Sequence, residues 1–572
     1  TYIYMAFAAD PDTEAPTVAR SFSTVTYTGN GSTNEIDGLE FSPSFVWLKD
    51  RDSTNWHTLF DTVRGAAARI HSNSTNAQDT TATNSLTSFD SDGFTLGSNA
   101  NENTNGNDYV AWSWAADDNE PTIFSPSQTV DDIKSTNLTL NLNLAGGSYP
   151  GYGSAIEDLS SAEEDFTVTN ATIPSGFGGY YIDFDGSGDY ADSDSSIATT
   201  SGNDITIEFW IRPESASQSS YAMIIDANHS TAVSGSTGQG WCIQQTGSTN
   251  NSYYFVYYDG STYQSNSDAQ LFTLTNGVWS HIVIVKSGTS IQVYKDGSAG
   301  TSWTAGNANL ANPNQKIRLG GWLAGGRDFN GNIAQLRLYS DALSSSEVTA
   351  NYNATKGLFT TIESTVSANA AAGFSIVKYE GTGVAGTKVF HGLSAAPEMV
   401  IVKALESTAN SAWSVYHTAV GNTKALVLNT SAATDTNVGY WNNTSPTSTT
   451  FTLGTFSVGN ESAKNYIAYY FHSVSSYSKI GTYTGNGSTQ SITGVGFKPD
   501  WIIFKKTSAT QDWLIVDSVR GGQKELVPNN NAAEYTMSNG VSSFDSDGWT
   551  MGANNSLNTN NETYIYMAYK IN

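Results

Sequence analysis

Residues 26–33 read TYTGNGST, and residues 482–489 read TYTGNGST again. Working outward from these two stretches, the match continues in step. Phe41-Ser42-Pro43 before FVWLK parallels Phe497-Lys498-Pro499 before WIIFK, and Trp56 is matched with Trp513. Asp61–Gly65 (DTVRG) parallels Asp517–Gly521 (DSVRG). SFDSDGFTLG (88–97) parallels SFDSDGWTMG (543–552), and YVAWSWA (109–115) parallels YIYMAYK (564–570). A third, more divergent copy lies between them, with APEMVIVK (396–403), Trp413, TFTLG (450–454) and YIAYYFH (466–472). Each copy is the size of one small β-sandwich. The chain also opens on TYIYMAFAAD, the closing strand of the same repeat, so residues 1–12 read as the end of a truncated upstream copy. An isolated strand exposes unpaired backbone groups, so this one is expected to pair with something. The first residue is Thr, which reads as a fragment or processed chain, whereas the far end stops where a repeat is complete, so Asn572 reads as the true C-terminus.

The copies read as β throughout. FVWLK, MVIVK and WIIFK are short runs rich in β-branched and aromatic residues. Asn-Gly in TGNGS and Asp-Gly in FDSDGF are tight-turn signals, because these residues tolerate positive φ. The expected fold class is all-β: tandem β-sandwich repeats around a central domain. The boundaries are repeat A at 22–117, a linker at 118–136, the central domain at 137–358, a linker at 359–372, repeat B at 373–475 and repeat C at 478–572.

Composition agrees. The chain has 572 residues, enough for several domains, with 14% charged and 12% aromatic residues, which is unlike a disordered chain. The net charge of −27 repels phosphates and excludes nucleic acid as a partner class. Cys242 is the single cysteine, so no internal disulfide forms, and its place in Trp241-Cys242-Ile243 reads as a buried structural thiol. No segment has 18 or more apolar residues, so none is expected to span a membrane, and no stretch of these residues reads as a signal peptide.

The central region has its own landmarks: YYIDFDGSGDYADSDS (180–195), ITIEFWIRPES (205–215), WSHIVIVKSGTSIQVYKDGS (279–298), IRLGGW (317–322) and FNGNIAQLRLYSDALSSSEVTANY (329–352). In ITIEFWI, alternation puts Ile205, Ile207, Phe209 and Ile211 on one face and Thr206, Glu208 and Trp210 on the other. The one helix signal is the capped start at Ser344–Val348. In this order the landmarks resemble the laminin G-like, concanavalin A-like lectin/glucanase family. The resemblance implies a two-sheet jelly roll that binds carbohydrate or protein, often with calcium. The flanking repeats resemble domains of unknown activity in structural proteins of marine bacteriophages, on TYTGNG, TYIYMAF and FHSVSSYSKIG. That resemblance implies a virion appendage such as a tail or head fibre, placed at the virion surface or otherwise outside the cell.

Candidate chemistry is sparse. Trp322, Arg327 and Asp328 in GGWLAGGRD, with Trp241 and Tyr258, could form a glycan site, since aromatic faces stack on sugar C–H groups while charged groups take hydroxyls. Asp183, Asp185, Asp189, Asp192 and Asp194 cluster around one turn, and Asp185 and Asp189 are the candidate calcium ligands. The lectin-like family's acidic pair is replaced by Ala334-Gln335, which weakens a carried-over metal site. Glu35, Asp37 and Glu40 match the E-x-D-x-x-E pattern of one glycosidase family. They lie in repeat A rather than the lectin-like region, and repeat C has Ser491, Thr493 and Gly496 instead. The chain is therefore not expected to be an enzyme. Asp90 and Asp92, with Asp545 and Asp547, read as turn residues, and the Asp61–Arg64 and Asp517–Arg520 pairs as structural ion pairs. The seven His are scattered, which does not support zinc. The expected function is a structural and adhesive virion component, with a bacterial surface adhesin or matrix protein and a glycan depolymerase as alternatives. Expected partners are other virion proteins, host-surface glycans and further copies of the chain, as in trimeric fibres.

Overall fold

The computed structural model describes residues 21–116, 121–124, 133–144, 149, 151, 153–176, 179–197, 202–215, 218–227, 239–247, 251–265 and 271–571. The expected pairing of residues 1–12 lies outside them. The fold is all-β, built from antiparallel sheets. It divides into two compact units, one of residues 1–124 and 363–572 and one of residues 125–362.

In the repeat unit each copy uses the same strands in the same order. Repeat A orders Phe22–Thr28, Asp108–Trp114, Phe45–Asp50, Thr58–Asp61 and Ile70–His71 into a sheet. Repeat C orders Ser478–Thr484, Thr563–Tyr569, Trp501–Lys506 and Leu514–Asp517 likewise. Repeat B does the same around Asn465–Phe471 and Met399–Ala404 and extends its edge. The segments read as linkers supply that extension: Thr122–Phe124 pairs with Ser364–Asn369, which pairs with Phe374–Glu380. Short strands of modest hydrophobicity look like linkers until a neighbouring strand satisfies their backbone groups. In repeats A and C, a small sheet of Asn34–Asp37, Gly93–Leu96 and Leu86–Asp90, or its counterpart around Gly548–Met551, closes a local core.

The repeats are not separate sandwiches in series. The other face of each large sheet enters one common core, with Phe45, Trp112 and Trp114 from repeat A, Ile401, Trp413 and Phe471 from B, and Trp501, Trp513 and Tyr569 from C. Three matching backbone hydrogen bonds close a ring. Gln78 N donates to Leu405 O at 2.8 Å, Thr434 N to Thr507 O at 3.2 Å and Glu534 N to Arg51 O at 2.8 Å. These run A to B, B to C and C to A through equivalent positions, so the three copies form a cyclic, threefold-like assembly within one chain.

Register corrects one alignment. Trp413 N and Trp513 N donate to Asn429 and Asn529 Oδ1, both at 2.8 Å, and His57 N donates to Asn73 Oδ1 at 3.3 Å. His57, not Trp56, therefore fills the slot of Trp413 and Trp513. Trp56 stands one residue outside the core and is 36% exposed.

In the other unit, two sheets face each other. One orders 138–143, 330–339, 205–213, 280–287, 290–295 and 298–304, with 182–185 also pairing with 330–339. The second orders 155–156, 166–169, 190–193, 318–319, 223–227, 241–245, 252–258 and 263–265, with 272–273 also on 252–258. Ile205, Ile207, Phe209 and Ile211 point into the core between the sheets, as alternation requires. The opposite face is buried too, because the helix signal at Ser344 opens a helix far longer than a turn or two, Ser345–Thr360. Ser344 and Glu347 form a reciprocal capping box at its start. Leu358 and Phe359 of this helix pack on Trp210. Asn351 Nδ2 donates to Glu208 Oε2 at 2.6 Å, and Arg337 and His281 each meet Glu208 Oε1 at 3.0 Å. Burial alone would push the Glu208 carboxyl up; Arg337 and His281 hold it down to about 2.

Candidate functional site

The outward face of the second sheet carries one lateral row of side chains. Register aligns Asp192 with Arg318, Arg318 with Asp226, Asp226 with Cys242, and Cys242 with Val256. Arg318 grips Asp192 with two bonds of 2.6 Å and lies 3.7 Å over the Tyr190 ring. Its Nη1 donates to Trp322 O at 3.1 Å, and Leu323 N donates to Asp226 Oδ2 at 2.8 Å. These two bonds pin the glycine-rich loop that follows strand 318–319 onto the face.

The loop is tight. Trp322 N donates to Gly326 O at 3.1 Å and Gly325 N to Trp322 O at 2.8 Å. Gly325 and Gly326 supply positive φ at its tip. Arg327 then takes φ 56°, an uncommon conformation for a long side chain, and its carbonyl accepts from Met223 N at 2.8 Å. The result aims the guanidinium over the Trp322 ring at 4.4 Å and toward Tyr221 at 5.6 Å. Arg327 Nη1 donates to Gln244 Oε1 at 3.1 Å, and Gln244 Nε2 in turn donates to the Tyr254 hydroxyl. Tyr221, itself at φ 59°, is 46% exposed. Asp328 packs over Gly321, with Oδ1 3.4 Å from where a Cβ there would stand.

Trp322, Arg327 and Asp328 are thus brought together. Trp241 and Tyr258 are not part of this surface. Trp241 is fully buried and packs on Phe255 in the core, and Tyr258 is 4% exposed against Tyr263. Trp241 has no free face inside the two-sheet core, and Tyr258, on the other face of its strand from the core residue Tyr257, is covered as well, so these two are removed from the candidate glycan site. Sequence reasoning missed Tyr221, Gln244, Tyr254, Arg318 and Asp226. Strand alternation from the core residue Ile243 puts Cys242 and Gln244 on the outward face, a signal that was available. Cys242 is buried, and burial first and then the charge of Asp226 push its thiol well up, so it is inert.

At the acidic turn, Asp189 Oδ1 accepts from Asn170 Nδ2 at 2.6 Å and Oδ2 from Asp185 N at 2.7 Å, while Asp185 Oδ1 accepts from Ser187 N at 2.7 Å. The two candidate calcium ligands spend these oxygens on shaping their own hairpin. Among the described residues, no group of three or more His, Cys, Asp or Glu is placed to hold a metal ion. Asp92 and Asp547 do the same turn work, each accepting two backbone N–H bonds, from Gly38 and Glu40 and from Gly494 and Gly496. Glu35 and Asp37 stand exposed on an outer strand of repeat A. No helix among the described residues is long and apolar enough to cross a membrane.

Comparison with known proteins gives two family matches, whose bounds only partly follow the two units. A family model described as "Domain of unknown function (DUF7483)" matches residues 18–165 and 344–570. Another, described as "Concanavalin A-like lectin/glucanases superfamily", matches residues 185–349. No curated protein matches the chain. Among solved structures, domain 4 of AbnA, an extracellular arabinanase from Geobacillus stearothermophilus in complex with arabinotriose, is 18% identical, with 38% of this chain and all of that one covered, at a TM-score of 0.27. The binding domain of Paraclostridial Mosquitocidal Protein 1 is 12% identical over 75% of this chain and 97% of that one, at 0.34. The ligand-binding domain of botulinum neurotoxin serotype D, in complex with N-acetylneuraminic acid, is 12% identical over 76% and 97%, at 0.31.

Proposed function

The chain belongs to the family described as domain of unknown function DUF7483, and from that premise we propose that it is an adhesive structural protein whose concanavalin A-like unit binds glycans without cleaving them. The observation that carries this reading is the pinned loop. Arg327 is held between Trp322 and Tyr221, and its remaining donors sit beside two aromatic faces. An aromatic ring offers a stacking plate for a sugar's C–H face, and guanidinium and amide donors orient its hydroxyls. The loop is fixed to the sheet before any ligand arrives, which lowers the ordering cost of binding. Binding without turnover is favoured because, of Asp192, Asp226 and Asp328, two are engaged, Asp192 by Arg318 and Asp226 by Leu323 N, whereas glycoside hydrolysis uses a pair. The repeat unit would serve as a rigid mount in a phage fibre or similar appendage outside the cell, in contact with other virion proteins or further copies of the chain. A bacterial surface adhesin remains the second reading, with the same site and a different carrier.

The test is a glycan array with the full chain and with Trp322→Ala and Arg327→Ala. Removing a central aromatic or arginine anchor costs roughly 2 kcal/mol or more, so a loss of about tenfold or greater is expected on the glycans the parent binds. Binding that survives both substitutions, or reducing-sugar release from a bound glycan, sinks the reading. Detection of the chain in purified particles decides between the two carriers.

A further inference from the structure

We infer that repeat A carries a second carbohydrate-binding site of its own, independent of the concanavalin A-like unit, in a cleft built by Trp56, His71 and Asn101. The three repeats act as internal controls on one backbone frame. Because His57 takes the core slot of Trp413 and Trp513, Trp56 is an extra aromatic whose counterparts are Ala412 in repeat B and Asp512 in repeat C. The strand beside it pairs Leu59 with Ile70, Val415 with Leu426, and Ile515 with Leu526. Arg69 and His71 therefore correspond to Ala425 and Val427 in B and to Glu525 and Val527 in C. Only repeat A has an aromatic ring, an imidazole and a guanidinium at these places.

They line a cleft of about 250 Å³ together with Asn55, Asn99 and Asn101. That is below the roughly 300–1,000 Å³ of sites for drug-sized ligands and suits a single ring. Trp56 is fixed in its exposed pose: its N donates to Asn101 Oδ1 at 3.0 Å, and its ring stands edge-on to His71 at 4.6 Å and 85°. His71 Nδ1 lies 3.2 Å from the carbonyl of His57, which can only accept, so Nδ1 carries the hydrogen and Nε2 is an acceptor. Burial first, and then the charge of Arg69, hold this imidazole neutral, down to about 4. Arg69 is spent on Asp79 at 2.9 Å and Glu102 at 3.4 Å, so the cleft has no surplus positive charge to attract an anion. Asn101 Nδ2 is spent on Thr58 Oγ1 at 2.7 Å and Glu102 Oε1 at 2.9 Å, so the cleft offers an exposed indole face and two neutral acceptors, which match an uncharged polyhydroxyl ring: the C–H face on Trp56, with hydroxyls donating to Asn101 Oδ1 and His71 Nε2.

The experiment uses the full chain carrying Trp322→Ala and Arg327→Ala, so that the other site is disabled. Saturation-transfer NMR is run with methyl glucopyranoside, methyl galactopyranoside, methyl mannopyranoside and N-acetylglucosamine. Transfer to at least one sugar is expected. Adding Trp56→Ala should cut it about tenfold, Trp56→Phe should give an intermediate value, and Asp512→Ala at the matching place in repeat C should leave it unchanged. Trp56 is outside the core, so an unaltered urea midpoint will report that the fold is kept. Absence of transfer to all four sugars, or equal transfer with and without Trp56, overturns the inference.

Discussion

Two seams of the ring share one design and the third departs from it. Where repeat B meets A, the Tyr469 hydroxyl donates to Asp61 Oδ2 at 2.7 Å, and Asp61 pairs with Arg64 at 2.6 Å. Where A meets C, Trp112 Nε1 donates to Asp517 Oδ2 at 3.1 Å, and Asp517 pairs with Arg520 at 2.6 Å. Where C meets B, register puts Met567 in the place of Tyr469 and Trp112, and His417 and Val420 in the places of the Asp and Arg. Identical backbone frames thus tolerate either a buried, hydrogen-bonded ion pair or an apolar contact with a neutral imidazole. The choice matters for pairing rather than for shape. A hydrogen-bonding edge set against Val420, or Met567 set against a buried Asp–Arg pair, would leave polar groups without partners, so the three seams are not interchangeable.

The largest expected effect comes from breaking a polar seam on one side. Asp517→Ala takes from Arg520, whose side chain has no measurable exposure, the nearer of its two carboxylate partners, leaves it Glu534 at 3.1 Å, removes the acceptor of Trp112 Nε1, and should cost about 3 kcal/mol in urea unfolding of the full chain. A loss below about 1 kcal/mol would mean that the two seam types are energetically alike. A smaller effect should separate the seams by pH. Burial holds His417 neutral, down to about 4 against an ordinary value of 6.5. Between those values the unfolded chain takes up the proton and the folded chain does not, so stability falls as pH drops from 6.5 toward 4. His417→Asn should flatten that slope by about one proton, while the slopes left by the other buried His remain. An unchanged slope would contradict a neutral His417 at this seam. The smallest effect belongs to the clasp that only the A–C seam has, Arg51 Nε and Nη2 on Glu534 at 2.9 and 3.1 Å. It is partly solvated, so Arg51→Ala should cost about 1 kcal/mol or less. A larger loss would show that this clasp, rather than the buried pair, sets the strength of ring closure.

Much of the molecule could be read before its shape was known. The recurrence of TYTGNGST named two of the equivalent units, and the alternation of ITIEFWI assigned both faces of that strand correctly. What alternation leaves open is the partner of a buried face. A strand such as FVWLK is apolar on both sides, and nothing local distinguishes a second sheet of its own from the sheets of two sister repeats. The Trp56 mismatch had a related cause. Matching like with like paired Trp with Trp, whereas the core slot is defined by the side-chain amide of Asn73, Asn429 or Asn529, in a turn sixteen residues further along. In the concanavalin A-like unit, the spatial grouping of Trp322, Arg327 and Asp328 is legible because one short loop carries all three. Tyr221, Gln244 and Tyr254 reach them from other strands, and Trp241 and Tyr258 were misassigned because an aromatic side chain looks the same in a core and on a ledge.

The strand pair at the edge of repeat B has a consequence for how such a chain can diversify. Phe124, where the chain leaves the repeat unit, and Ser364, where it returns, are direct partners across an antiparallel ladder. In register terms the intervening segment occupies the position of a hairpin turn. A segment of any length inserted there meets the same requirement, two neighbouring strand ends held side by side, so this ladder does not itself limit what the chain carries between them.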